Sequence, residues 1–129
     1  MKMIAIARAP VPMGHYSQAV VHDGIVYVSG QLAIDPRTRE RNGDTIEEQT
    51  EQVLRNVSAL LLAAGSDINN VLKVTVYISD VALWPMMNRV YASFFGDHRP
   101  ARSMVPVKEL PTGFLVEMDA IGVVTRSEQ

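Results

Sequence analysis

With 129 residues, 47% of them apolar and 20% charged, the chain has the length of a single domain, 1–129, large enough to bury a core, and its composition fits neither disorder nor a fibrous repeat. Twelve Lys and Arg against 14 Asp and Glu give a formal charge of -2, which supplies no broad attraction for a polyanionic backbone and argues against nucleic acid as the first partner. The absence of Cys excludes a disulfide, a thiolate nucleophile and a Cys-ligated metal, and His15, His22 and His98 are too scattered for zinc, so no metal is expected.

Residues 1–9 hold Lys2 and Arg8 but lack the ~7–15 apolar residues of a signal peptide, and no segment reaches the ~18 of a membrane span. A cytoplasmic protein without a membrane partner is the expectation. A short strand is allowed around residues 4–7. Residues 18–31 then hold two β-branched runs separated by Asp23-Gly24, the pair that satisfies the positive φ angles of a type I′ hairpin turn. Counting outward from a His22–Ile25 pair sets Gln18 against Ser29 and Tyr16 against Gln31, and places these four polar residues on one face. Residues 35–43, with Pro36, Asn42 and Gly43, read as a surface loop.

A capping box with Asp44 at the cap and Glu47 three residues on predicts a helix, with apolar residues from Ile46 to Ala64 at helical spacing and Gly65 as the stop. The next segment, Val71–Ile78, predicts a strand with Leu72, Val74, Val76 and Ile78 on one face and Lys73, Thr75 and Tyr77 on the other. Asp80 caps a second helix, with Leu83, Met87, Val90, Tyr91 and Phe94 on one side, Pro85 in the first turn and Gly96 at its end. Residues 101–107 and 114–124 are strand-like and joined by a Pro/Gly connection, which predicts an antiparallel pair; Pro106 makes the first irregular or an edge. The order β-β-α-β-α-β-β predicts an α+β sandwich, a mixed sheet with both helices on one face.

Arg102 begins a largely apolar strand. It either closes an internal salt bridge or offers its planar fork to a carboxylate ligand. Glu117, inside the most hydrophobic strand, needs a partner or a purpose if buried; the alternatives are a solvent face or neutralisation by a nearby Arg. If the last two strands pair, Arg102 and Glu117 stand about three positions apart, roughly 10 Å, and can flank one small ligand. Tyr16 and Ser29 offer hydroxyls and the strand end at Ser29-Gly30-Gln31 offers backbone N–H groups, either for a ligand or for routine strand-end bonding. Asn88 caps another segment, donates to a ligand or sits exposed on its helix. Trp84 to Met87 reads as core or interface packing. No GxSxG, GxGxxG, HExxH or Walker sequence is present.

Taken together and in order, Gly14-His15-Tyr16-Ser17-Gln18-Ala19, Val28-Ser29-Gly30-Gln31, Gln49-Thr50 with Asn56, Ala64-Gly65, Asn88 with Tyr91, Phe94-Phe95, Pro100-Ala101-Arg102-Ser103, Leu110-Pro111 and Val116-Glu117-Met118-Asp119-Ala120 resemble the Rid family of reactive intermediate deaminases, also called the YjgF family. Each motif is short; the collinear set covers nearly the whole chain. The resemblance implies a chorismate-mutase-like α+β fold, a homotrimer with clefts between subunits, and hydrolysis of 2-imino acids to 2-keto acids and ammonia without a cofactor. It further implies Arg102 as carboxylate clamp, Glu117 as the group that positions or activates water, and Tyr16, Ser29, Gly30 and Asn88 as site-lining residues. Arg39 replaces a usual Gly, Met104 replaces Cys or a small residue, and His15 stands where deaminating members usually have Pro; His15 adjoins Tyr16, which leaves open a larger or more acidic imine of the aminomuconate type. Other readings are a regulatory module that binds small carboxylates, an RNA-cleaving or translation-inhibiting protein, and a holdase.

Overall fold

The computed structural model describes residues 1–126. Strands β1 (Lys2–Ile4), β2 (Ala19–His22), β3 (Ile25–Gln31), β4 (Val71–Ile78), β5 (Ala101–Pro106) and β6 (Val116–Val123) form one mixed sheet in the order β1-β2-β3-β6-β4-β5. Helix α1 (Ile46–Ala63) lies across β3 and β6 and against α2 (Trp84–Phe95). This is the α+β architecture expected from the sequence. Its core lies between sheet and helices, where Val74, Val76, Val116 and Met118 meet Leu54, Leu60 and Leu61 of α1 and Met87 of α2; each such side chain contributes about 1.5–3 kcal/mol through burial.

The β2–β3 hairpin has the expected turn, with Asp23 at φ 49° and Gly24 at φ 76°, and the expected register, His22 opposite Ile25. Its polar end differs. The last rung is Ser29 N–H to the Gln18 carbonyl at 3.0 Å, and β2 begins only at Ala19, so Tyr16 does not pair with Gln31. The buried Gln18 amide is spent on the N-terminal segment, accepting from Ile6 N–H and donating toward the carbonyls of Ile6, Ala9 and Pro10. Gln31 is also buried and donates to the Ser29 carbonyl.

The α1 capping box lies one residue later than expected. Thr45 is the cap, its hydroxyl accepting from Glu48 N–H while the Glu48 carboxylate returns to Thr45 N–H. Asp80 caps a short turn, Val81–Leu83, which runs into α2; Gly96 at φ 64° ends that helix. Leu72 was expected inside and is 49% exposed, because the β4–β6 register shifts between Val71 and Lys73 and the bulge turns it outward.

The largest departure concerns β5 and β6, which do not pair. β5 runs parallel to β4 on the sheet edge, while β6 inserts antiparallel between β3 and β4. The strand–helix–strand run β4–α2–β5 supplies the long crossover that a parallel neighbour requires. β6 alternates buried Val116, Met118, Ala120 and Gly122 with half-buried residues, a pattern suited to a central strand, whereas β5 carries Pro106 and buries none of its residues, as an edge strand does.

Candidate active site

Arg102 on β5 lies in register with Val74, whose side chain is buried under the helices, and so emerges on the helix side of the sheet. Its Nη1 donates to Asn88 Oδ1 at 2.8 Å, and the guanidinium lies 4.7 Å from the centroid of the Tyr91 ring, which in turn stacks 4.6 Å from Phe95. Asn88, Tyr91 and Phe95 all come from α2, so the helix sets the height and orientation of the guanidinium. These residues, with His98 and Arg99, line a cavity of about 520 Å³, a size suited to a small ligand. Among the described residues no carboxylate pairs with Arg102 or lines the cavity. The salt-bridge alternative is thereby removed. Of the five guanidinium donors Asn88 engages one, and the fork remains available to an anion.

The Tyr91 hydroxyl is buried without a partner among the described residues, and burial pushes its ionisation up to about 12 against the opposing effect of Arg102. Tyr91 is therefore a neutral platform at physiological pH and leaves the Arg102 charge uncompensated. The His98 ring is tied to the Val71 carbonyl at 2.7 Å.

Glu117 on β6 lies in register with Tyr77, on the sheet face away from the helices. It sits against Gly30 of β3 so closely that a Cβ added there would run into its carboxylate. The side chain is half-buried. Burial first, and the Asp119 carboxylate second, raise its proton affinity above the ordinary glutamate value, and no cation acts against them. Asp119 accepts from the Tyr77 hydroxyl at 3.2 Å. Beside Gly30, Ser29 donates its hydroxyl to the Ser17 carbonyl at 2.6 Å and its N–H to Gln18, so neither is a free donor. The Tyr16 hydroxyl accepts from Met13 N–H at 3.3 Å, and its ring is 48% exposed.

The expected Arg102–Glu117 site on adjacent strands is not formed within one chain. β4 separates them, the three-position offset remains, and the two side chains leave opposite faces of the sheet; two strand spacings and three residues put their backbones roughly 14 Å apart. What the fold brings together is Arg102 with Asn88, and Glu117 with Gly30. Tyr91, expected on the apolar side of its helix, is buried at 7% exposure and also carries the Arg102 guanidinium; its position one turn after Asn88 on the same helix is the signal for a shared role. Of the unusual positions, His15 is exposed, Met104 is half-buried in register with Val76, and Arg39 adopts φ 65°, a left-handed conformation in which Gly is less strained. Among the described residues, no three His, Asp or Glu converge as metal ligands, and no helix is long and apolar enough to cross a membrane.

A family model described as Endoribonuclease L-PSP matches residues 6–124. The chain is 45% identical over 120 residues to a RutC family protein of Pyrococcus horikoshii, covering 93% of this chain and 95% of that protein. It is 41% identical over 122 residues to the 2-iminobutanoate/2-iminopropanoate deaminase of Bos taurus, covering 95% and 89%. The crystal structure of Escherichia coli TdcF with bound serine superposes with a TM-score of 0.91 at 38% identity, covering 98% of this chain and all of that one, 100%.

Proposed function

The chain belongs to the endoribonuclease L-PSP family, the YjgF or Rid family that its motifs resemble, and from that premise we propose that it hydrolyses small 2-imino acids to 2-keto acids and ammonia. The observation that carries this reading is Glu117: a carboxylate half-buried, raised in proton affinity and set against the backbone of a glycine has the properties of a general base. A protonated 2-imino acid is already electrophilic at C2, so the protein needs only an oriented water and a fixed carboxylate. Arg102 holds the substrate carboxylate through its free fork. Glu117 takes a proton from water as the oxygen bonds to C2 and the C=N electron pair returns to nitrogen; it then gives that proton to the carbinolamine nitrogen, and as the C–N bond breaks ammonia leaves and the hydroxyl loses its proton to become the carbonyl of the keto acid. Tyr16, Ser29, Gly30 and Asn88 line and shape the site, with Asn88 fixing the Arg102 fork. No cofactor enters these steps.

Because Arg102 and Glu117 leave opposite faces of one sheet, the reading requires a second copy: the β5 edge of one subunit meets the Gly30–Glu117 face of the next, in a homotrimer. On α2, Met87 and Phe95 are core, 0% and 4% exposed, while Trp84 remains 45% exposed. Sedimentation is expected to give a trimer. Arg102→Ala and Glu117→Gln chains, each inactive alone, are expected to regain about one quarter of wild-type activity after joint refolding at equal amounts, because random mixing restores both groups at that fraction of cyclic interfaces. An inactive mixture of demonstrated hybrid trimers would place both groups in one subunit's site.

The function itself is tested by generating 2-iminopropanoate and 2-iminobutanoate in situ with an amino-acid oxidase and following keto-acid release. Acceleration over spontaneous hydrolysis is expected, and its absence with both imines sinks the reading. Gly30→Ala is expected to lower kcat/KM about 10²-fold by displacing Glu117, with the circular dichroism spectrum unchanged; normal rates would detach Glu117 from the chemistry. A ribonuclease reading has the family's description in its favour, and is distinguished by RNA cleavage that survives Arg102→Ala.

A further inference from the structure

The outward side of α1 carries two adjoining cavities that share Ala7, Arg8 and Arg55 in their walls. One, about 530 Å³, is polar: Arg8, Arg37 and Arg55 face a single wall carboxylate, Asp35, between the amides of Asn42 and Gln52. The other, about 710 Å³, is lined on its apolar side by Ile6, Ala59, Leu62 and Phe94. Neither includes Arg102 or Glu117.

The amides are oriented from the core outward. Buried Asn56 donates from Nδ2 to the carbonyls of Leu32 and Ile34, each at 3.0 Å, so both its N–H groups are committed and its Oδ1 must accept. It accepts from Gln52 Nε2 at 2.9 Å, and Gln52 Oε1 accepts from Asn42 Nδ2 at 2.8 Å. Reversing either outer amide would set donor against donor or acceptor against acceptor. Gln52, 7% exposed, and Asn42 each retain one N–H beyond this relay, at the wall of the cavity that holds the arginines. Arg37 is engaged with Asp35 at 3.3 Å, and Arg55 with Glu51 at 2.7 Å, a residue outside these two walls. Arg8 makes no ion pair among the described residues. The polar cavity thus presents surplus positive charge and spare donors, and it opens beside an apolar wall.

We propose that this trough is a second binding site, for a phosphate monoester that carries an apolar group. With Arg37 held by Asp35 and Arg55 by Glu51, the surplus positive charge centres on Arg8, and phosphate oxygens accept from Arg forks and amide N–H groups together. The ester group lies against Ile6, Leu62 and Phe94, where burial of apolar area adds affinity. The site is independent of the imine chemistry.

Phenyl phosphate is the probe, titrated calorimetrically into Arg102→Ala protein so that the Arg102 cavity does not contribute. Saturable binding is expected, about 10-fold tighter than inorganic phosphate because of the ring. Arg8→Glu, an exposed change, is expected to weaken it at least ~10-fold, and Leu62→Asn to reduce phenyl phosphate to the level of inorganic phosphate. In the wild-type chain, amide NMR shifts at Ala7, Ala59 and Leu62 report the same titration should Arg102→Ala not fold. No saturable binding, an affinity indifferent to Arg8→Glu, or NMR shifts confined to the Arg102 cavity overturns the proposal.

Discussion

Arg102→Lys is expected to lose turnover almost as completely as Arg102→Ala, about 10²-fold or more in kcat/KM, although it keeps the charge. The fork is positioned by Asn88 at one nitrogen and by the Tyr91 ring beneath it, which leaves parallel N–H groups for a carboxylate. An ammonium is a point donor and reproduces neither contact geometry. Stability separates the two variants. Alanine removes the hydrogen bond and the cation–ring contact, about 1–2 kcal/mol together, whereas lysine keeps a stem and a charge over the ring and is expected to melt near the wild type. Rates with 2-iminopropanoate and thermal midpoints for both variants decide the matter; near-normal turnover in Arg102→Lys would leave the substrate carboxylate held by something other than the fork.

Local chemistry made much of the fold legible. Asp23-Gly24 can form a type I′ turn almost alone, so the hairpin register followed by counting, and the bounds of β4 were marked by β-branched residues and flanking breakers. The α1 cap shows the limit of local signals. Asp44-x-x-Glu47 and Thr45-x-x-Glu48 are overlapping frames of the same motif, and Glu48 accepts from the N–H groups of both Asp44 and Thr45, so only the folded helix ranks them. Leu72 failed for a related reason: alternation assumes an unbroken ladder, and one bulge reverses the faces on either side of it.

The candidate residues could be picked out by type and motif, but their geometry could not be read from the sequence. Arg102, Asn88, Glu117 and Gly30 stood out by residue type and motif, and the structure gives each a local partner. Their mutual arrangement depended on sheet order, which short-range pairing rules misassign when a late strand inserts into the centre. Two signals pointed the other way. Pro106 marked β5 as an edge, and the helix between β4 and β5 marked them as parallel neighbours. Giving those signals priority over the short β5–β6 connection would have separated Arg102 from Glu117 already in the sequence.

Glu117→Gln is expected to lower kcat by about 10²–10⁴-fold while leaving the affinity for the keto-acid product nearly unchanged. An amide can hold water in place but cannot take its proton, and the product carboxylate is the concern of Arg102. In the wild type the rising acid limb of the rate–pH profile is expected above the ordinary glutamate pKa of about 4.3, since burial, followed by Asp119, raises the Glu117 value. Stability should move the opposite way to activity. A carboxyl whose folded pKa is raised contributes stability below its unfolded pKa, and that contribution is lost as pH rises through the folded value; once ionised, Glu117 is therefore a burden on the fold. Glu117→Gln is expected to melt higher than the wild type at pH 7 and to lose that advantage below about pH 4. A carboxylate kept for structure predicts the reverse, a variant that melts lower at pH 7 and turns over normally. The conjunction of slower chemistry and a firmer fold at neutral pH is what a half-buried base requires, because the desolvation that makes it basic is also what destabilises its charged form.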